Sequence, residues 1–481
     1  MASPCGPSPD FRKDVEAVKA SPPTQPEGRA AQSTAEEPRE TEAETPFSIY
    51  TTRERKWIAF IASFGAMFST LSSYIYFPAL VPMAADLGVS ITLINLTVTS
   101  YLIVAGIAPA FMGDIADQGG RRPAYILMFS LVVGSNVGLA LQSSYPVLFV
   151  LRMVQSAGAS GSYGAAYGVL ADITTVAERG SYVGSLIVLT NAAPSFGPVI
   201  AGVLTQKLGW RWIFWFLVIL TGTYFVVVAL MLPETQRKIV GNGSIPTTGV
   251  HKSLFDTLTR DRKERFDRGQ EPRRDRKHHI PNPFKCIMIL FSKGNFTVIM
   301  IGSITYMVKM TLQASLATQC IDVYGLDYLQ AGLIYLPSGI GGAIASYAAE
   351  ARLVGIYTLA LLSAAGTVGY GVTLMKRTHI AVPLVMQFVS GAATSAIFTL
   401  CGTLLTDLNP HASATVQASY NLVRCLGAGA VIASQQPLTD AVGLGWCFGI
   451  FGLVMLATAP LATALKKWGP SWREKEISGT E

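Results

Sequence analysis

The chain has 481 residues, of which 50% are apolar and only 14% charged, and its formal net charge is +7. A soluble globular chain carries about a quarter charged residues and is seldom a single domain at this length. That composition excludes an ordinary cytosolic domain and points to a chain that lives in a membrane.

Residues 1–46 are rich in Pro, Ser, Glu, Thr and Ala and lack an apolar core. They read as a disordered tail, not a cleaved signal peptide. Beyond them, apolar runs recur at the length of about 20 residues that crosses about 30 Å of hydrocarbon. Twelve such spans are predicted, at about 57–79, 93–112, 123–142, 147–171, 181–205, 211–232, 297–319, 330–349, 353–375, 380–405, 416–438 and 445–465. The expected fold is all-α and polytopic. A cytoplasmic tail (1–50) precedes a six-helix bundle (51–235), a charged linker (236–296), a second six-helix bundle (297–466) and a short tail (467–481).

Charge sets the orientation. Of the 37 Lys and Arg, 30 fall on the face that carries both termini, four on the other, and three within spans. This asymmetry is the positive-inside pattern, which places both termini in the cytoplasm. The short loops alone split evenly, so the orientation rests on the Gly113–Arg122 loop and the segments flanking spans. The distribution also argues against nucleic acid as a partner, because the charge follows topology and forms no groove-binding stripe.

The first motif in chain order is GDIADQGGRR (Gly113–Arg122), between spans two and three. Its glycines allow a tight turn, and Asp117 can bridge to Arg121 and Arg122 or cap a helix. In span four, Arg152 and Gln155 share one helix face. A charge at that depth faces a cavity or a partner, or else snorkels to the outer surface. Span five holds Pro194 and Pro198 among Gly184, Ala193, Gly197, Ala201 and Gly202, small residues that let a neighbouring helix approach. In the linker, the run RDRKERFDRGQEPRRDRKHHI reads as a solvated connection, with an anionic-lipid contact as the sharper alternative.

Lys309 lies near the middle of span seven, where an isolated Lys costs about 2.5–3.5 kcal/mol to insert. It is expected to line water or meet an anion, with Gln313 one turn on. In span eleven, Gln417, Asn421 and Arg424 form one polar stripe, facing a cavity or serving as polar glue between helices. No Asp or Glu is secure at mid-depth. The deep charges are all positive, which points to an anionic or neutral small-molecule substrate. Spans eight and nine are joined by only a few residues around Ala349–Leu353, with no counterpart of the Gly113–Arg122 loop. A short helix hairpin permits this; a lost segment that leaves transport deficient is the other reading.

The motifs resemble those of the major facilitator superfamily. Gly113, Asp117, Gly120, Arg121 and Arg122 match its loop signature, with Ile115 in place of Leu. Arg152, Gln155 and Gly158 match its span-four R-x-x-Q-G-x-G pattern, with Ser156 where a Gly is usual. Gly184, Gly197, Pro198 and Gly202 match the span-five pattern of the twelve-spanner drug:proton antiporters. SSYIYFPAL (Ser72–Leu80), LPET (Leu232–Thr235) and NLVR (Asn421–Arg424) resemble the fungal branch that exports drugs, organic acids and secondary metabolites. The resemblance implies two bundles around a central cavity, with a conformational latch at Gly113–Arg122. It also implies an antiporter seal at Gly184, Gly197, Pro198 and Gly202, and a part for Arg152 in proton coupling.

The expected cavity set is Arg152, Gln155, Lys309, Gln313, Asn421 and Arg424. The expected protein is a monomeric plasma-membrane efflux transporter. It exports a drug, a polyketide-like metabolite or an organic acid by proton antiport, with protons and the lipid bilayer as its other partners. Potential-driven exit of a citrate-like anion is the alternative, since 100 mV contributes about 2.3 kcal/mol per charge. No cofactor or metal is expected. The six Cys show no ligand spacing, and the five His make no helical pair. Neither GxSxG nor HExxH occurs, so an enzyme is excluded on motif grounds.

Overall fold

The computed structural model describes residues 47–245, 247–258, 290–351, 355–409 and 413–478. Local chemistry sets the helix ends. Thr51 opens α1 (Thr52–Tyr74) with a capping box: its N–H donates to Glu54 Oε2 at 2.7 Å, and its Oγ1 accepts from the Glu54 N–H at 3.4 Å. A 3-10 turn with Pro78 (Phe77–Ala79) breaks span one, and the chain resumes as α2 (Leu80–Leu87). The first half continues through α3 (Ile91–Gln118), α4 (Arg121–Leu141), α5 (Tyr145–Ile173), α6 (Val176–Leu208) and α7 (Arg211–Met231). The start of the insert forms α8 (Arg237–Val240), a 3-10 turn (Gly249–His251) and α9 (Leu254–Leu258).

The second half holds α10 (Lys293–Tyr324), α11 (Tyr328–Leu333), α12 (Leu336–Ala351), α13 (Ile356–Met375) and α14 (Ala381–Leu408), followed by α15 (Ser413–Leu456) and α16 (Thr458–Ser478). Spans eleven and twelve share α15, which bends at Gly443 (φ 80°). Among the described residues, nine helical stretches are long and apolar enough to cross a membrane unaided. The glycine-, alanine- and serine-rich α5 is not one of them, span eight is divided into α11 and α12, and spans eleven and twelve run together as Thr415–Trp472.

In the first half α5 packs on α1, α3 and α4, while α6 lies along α1. In the second, α14 packs on α12, α13 and α10, and α15 on α10 and α13. The halves meet where α3 crosses α15 and where α6 touches α11 and α12. The hydrogen bonds between them, among the described residues, run from mid-span to the face opposite the termini. Asn421 Nδ2 donates to the Ala105 carbonyl (2.8 Å), Tyr74 Oη to Met310 Sδ (3.3 Å), Thr99 Oγ1 to the Gly429 carbonyl (3.0 Å) and the Tyr328 N–H to Gln206 Oε1 (3.0 Å). The tie is therefore at mid-depth and beyond it, away from the Gly113–Arg122 end.

Two expectations change. The Gly113–Arg122 loop shrinks to Gly119 and Gly120, because α3 extends through Gly113 and Asp117 and its hydrogen-bond ladder continues to Gly119 N–H on the Ile115 carbonyl at 2.8 Å. The linker is not solvated throughout. Its first residues dock under the first half, with the Ile49 N–H on the Asn242 carbonyl (3.1 Å), Tyr50 against Phe255 (6.2 Å between ring centroids), and Val240, Ser244 and Ser253 buried. Its dense charge run lies outside the described residues. The short join of spans eight and nine is bounded by α12 ending at Ala351 and α13 beginning at Ile356; residues 352–354 lie outside the described residues.

Candidate functional site

Two cations stand where the halves face each other. Lys309 lies halfway along α10, half-buried, and donates to Ser395 Oγ of α14 at 2.9 Å. Arg424 of α15 donates through Nε and Nη2 to Asn421 Oδ1 at 3.1 and 2.7 Å. Its guanidinium carbon sits 4.9 Å from the Tyr306 ring centroid, 5.0 Å from Phe398 and 5.7 Å from Tyr420. Lys309 and Arg424 are close enough for their charges to interact. Among the described residues no Asp or Glu pairs with either. Gln313, one turn beyond Lys309, is buried and donates through Nε2 to Ser338 Oγ (2.8 Å), while its Oε1 has no partner.

Gln417 stands apart from this group. It is tied to α14 through the Gly402 carbonyl (2.9 Å) and Thr406 Oγ1 (3.1 Å). Only the Asn421–Arg424 end of the polar stripe reaches the contact between the halves, where Asn421 bonds the Ala105 carbonyl.

Arg152 occupies a separate pocket inside the first half. It is 1% exposed, so it does not snorkel. Its guanidinium lies between the rings of Tyr76 (3.9 Å) and Tyr101 (4.3 Å), a cation–π sandwich. Nη1 donates to Gln155 Oε1 (2.6 Å) and the Ser72 carbonyl (3.2 Å), and Gln155 Nε2 passes the chain to Asn136 Oδ1 at 2.7 Å. Nε and Nη2 have no partner. The expected cavity set is thus divided between two places: Lys309, Gln313, Asn421 and Arg424 in one, Arg152 and Gln155 in the other.

The Gly113–Arg122 segment gathers a charge network. Arg121 pairs with Asp117 one turn back and, through Nε, with Asp172 Oδ2 of α5 at 3.0 Å. Arg122 donates to the last carbonyls of α7, Leu232 and Ala229, both at 2.6 Å, and to the Val250 carbonyl of the insert at 2.9 Å. A cation at a helix C-terminus is favoured by the exposed carbonyl dipoles. Gly120 has φ 107°, and an added Cβ would collide with Glu234. Gly113 has open space around it.

Glu234, from LPET, is the centre of this network. It is fully buried and accepts the backbone N–H groups of Arg121 (2.8 Å), Arg122 (3.3 Å), Thr235 (3.0 Å) and Gln236 (2.9 Å). It also meets His251 Nδ1 at 3.0 Å. A carboxylate at the start of α4 satisfies the free N–H groups of that helix. Nearby, burial and the carboxylates of Asp256 and Glu234 push the Tyr50 phenol above its ordinary value.

In span five, Gly197 packs on Leu71, a Cβ built on Gly332 would stand 2.5 Å from the Pro198 carbonyl, and a Cβ on Gly202 would stand 2.6 Å from the Tyr328 carbonyl. Pro198 and Gly202 let α6 meet α11 at the contact between the halves, whereas Gly197 faces Leu71 and Ile75 within the first half. Gly184 differs: no atom approaches within 4 Å of a Cβ built there, so it supports no helix contact.

Sequence reasoning passed over Asn136, Ser395, Ser338, His251 and the aromatic partners Tyr76, Tyr101, Tyr306 and Phe398. Asn136, a polar residue inside an apolar span, carried a usable signal. The aromatic rings carried none, since any apolar span contains them. Among the described residues no group of His, Cys, Asp and Glu could hold a metal ion.

Comparisons agree with this architecture. The MFS-type transporter phiD of a fungal species is 36% identical over 90% of this chain and 71% of its own length. MFS-type transporter tstD of Talaromyces stipitatus is 33% identical over 92% of this chain and 87% of its own. Citrate exporter 1 of Aspergillus niger is 34% identical over 92% of each chain. Two solved structures share the fold. The human organic anion transporter MFSD10 superposes with a TM-score of 0.59 at 13% identity, covering 85% of this chain and 99% of its own. The xylose transporter XylE from E. coli superposes at 0.63 and 14% identity, covering 86% and 98%. Residues 62–432 match the Major Facilitator Superfamily profile, and the chain belongs to that family as a multi-pass membrane transporter of the fungal exporter type, not an enzyme.

Proposed function

We propose that the chain exports a small organic anion from the cytoplasm across the plasma membrane. The observation that carries this is the pair Lys309 and Arg424, set between the halves with no carboxylate partner among the described residues. Unneutralised cations at mid-depth raise the local concentration of anions and repel cations. The printed name of one relative, Citrate exporter 1, supports an anionic cargo. A secondary metabolite bearing an acidic group fits the same site as an organic acid, and a neutral drug is a weaker fit.

In this reading both termini are cytoplasmic and the protein works as a monomer. Asp117, Gly120, Arg121 and Arg122, with Gly113 beside them, act as the latch of the alternating cycle. Pro198 and Gly202 act as the seal between the halves, with Gly197 packing α6 on the first half behind them, and Gly184 supplies a small side rather than a contact. Arg152 and Gln155 bear on proton coupling through the first half, and protons enter in exchange for the anion.

A second coupling mode has its own observation. Among the described residues no carboxylate pairs with Lys309 or Arg424 to carry a proton against an anion, which favours exit driven by an inside-negative potential. Purified protein in liposomes loaded with labelled organic anion separates the two. Efflux accelerated by an inward proton gradient, with acidification of the lumen, supports antiport. Efflux accelerated by the potential alone supports the second mode. Efflux no faster than from protein-free liposomes rejects the exporter reading.

A further inference from the structure

We infer that the chamber selects an aromatic monoanion, an aryl carboxylate or acidic phenol, over a compact polycarboxylate. This inference rests on the exporter reading and names its substrate class. Its ground is the way Arg424 is set among rings, with Lys309 within electrostatic reach of it. Tyr306 and Phe398 are half-buried, 5.9 Å apart between centroids, and both lie beside the Arg424 guanidinium. From the other half, the neutral Tyr163 phenol of α5 comes within electrostatic reach of the Arg424 guanidinium. Tyr163 and Tyr167 form an edge-to-face pair at 5.3 Å, also half-buried. Between them in sequence, Gly164 is exposed and has no atom within 4 Å of a built Cβ, so this stretch of α5 borders open space.

Two facts of chemistry turn this geometry into selectivity. A ring face carries negative electrostatic potential, so a planar aryl group stacks on it or meets it edge-on, whereas a carboxylate placed over it is repelled. The cations are also few. Arg424 is held through Nε and Nη2 by Asn421 Oδ1 and Lys309 Nζ by Ser395 Oγ, neutral partners that leave both positive charges in place. Together they present a two-point anchor for one carboxylate or phenolate. A tricarboxylate bound there would place its remaining charges against Tyr306, Phe398 and the tyrosines of α5. An aryl monoanion would place its ring there instead.

The test compares three labelled probes in liposomes holding the full chain, with protein-free liposomes as background: 4-hydroxybenzoate, its saturated analogue 4-hydroxycyclohexanecarboxylate, and citrate. The expected result is export of the aryl probe at least about tenfold more efficient than either of the others. Phe398→Leu should collapse the aryl-to-cyclohexyl ratio and Phe398→Tyr should restore it, which separates lost stacking from lost folding. Equal handling of the aryl and cyclohexyl probes, or preference for citrate, overturns the aromatic inference while leaving an anion exporter in place. Movement of none of the three above background removes the exporter reading and this inference with it.

Discussion

Glu234 Oε1 accepts the backbone N–H of Arg121 at 2.8 Å, although 113 positions separate the two residues. The bond joins the end of α7 to the start of α4. It belongs to a cluster in which one buried carboxylate satisfies four backbone amides and meets His251. The insert reaches the same place through Val250, whose carbonyl accepts from Arg122 at 2.9 Å. The start of α4, the end of span six and the start of the linker are therefore one cooperative polar unit.

Removing this carboxylate should be among the most damaging single changes at this end of the helices. Each buried donor left without an acceptor costs about 1–3 kcal/mol. Glu234→Ala strips several at once; Glu234→Gln keeps one acceptor oxygen. The expected order of melting temperature in detergent is wild type, then Gln, then Ala. A thermal-unfolding series in which the Ala variant melts with the wild type would remove Glu234 from this role.

Arg121 and Asp172 form a buried pair across α4 and α5, each side chain 10% exposed. Breaking a fully buried pair from one side costs about 3–5 kcal/mol, an upper bound here. Arg121→Ala, which strands Asp172, should cost more than Asp172→Ala, which leaves Arg121 paired with Asp117. Asp172→Ala and Arg121→Ala should each reduce folded protein at the membrane. The double variant should lose less than the sum of the two, because neither charge is then stranded. Additive losses in a double-mutant cycle would mean that the two residues act independently.

The span pattern was legible in the sequence because hydrocarbon imposes length and polarity rules on every crossing segment. Lys309 and Arg424 were legible for the same reason, since a charge at mid-depth has few benign explanations. Glu234 was not, because its role depends on the start of α4 arriving beside it, and LPET by itself shows only the end of a span. Arg152 was legible as a buried charge but not as the filling of a Tyr76–Tyr101 sandwich, a partnership made by fold and not by spacing. Gln417 lay on the same stripe as Arg424, yet the Gly402 carbonyl of α14 claims it.

The close approach of α6 to α11 predicts a steric block. At Gly202 a Cβ already stands 2.6 Å from a backbone carbonyl, and the helices cannot separate without opening the contact between the halves. Gly202→Leu should reach the membrane but cycle at least about tenfold more slowly, since misplaced gating geometry costs one to two orders of magnitude. Gly184→Leu, which meets open space, serves as the matched control. Equal slowing by both would sink the assignment of the seal to Gly202.

Asn242 begins the sequence Asn-Gly-Ser, an acceptor pattern for N-glycans on luminal loops. It lies with the docked part of the insert, where its side-chain oxygen accepts the Ser244 N–H at 3.2 Å and Ser244 itself is buried. With cytoplasmic termini, it should carry no glycan. Digestion with an endoglycosidase should leave the gel mobility of the expressed protein unchanged; a shift that Asn242→Gln removes would invert the topology.

Lys309→Met is the sharpest test of the chamber because structure and transport should move in opposite directions. The substitution replaces a cation at mid-depth with an apolar side chain of similar length. It relieves an insertion cost of about 2.5–3.5 kcal/mol and the repulsion from Arg424. Ser395 loses a donor but can turn its hydroxyl to a carbonyl of its own helix. The variant should therefore be at least as abundant and as thermally stable as the wild type, while export of an anion falls by an order of magnitude or more. Lys309→Arg should keep part of the activity, since the charge remains. A purely structural lysine would give the reverse pattern, with stability falling and transport per folded molecule unchanged.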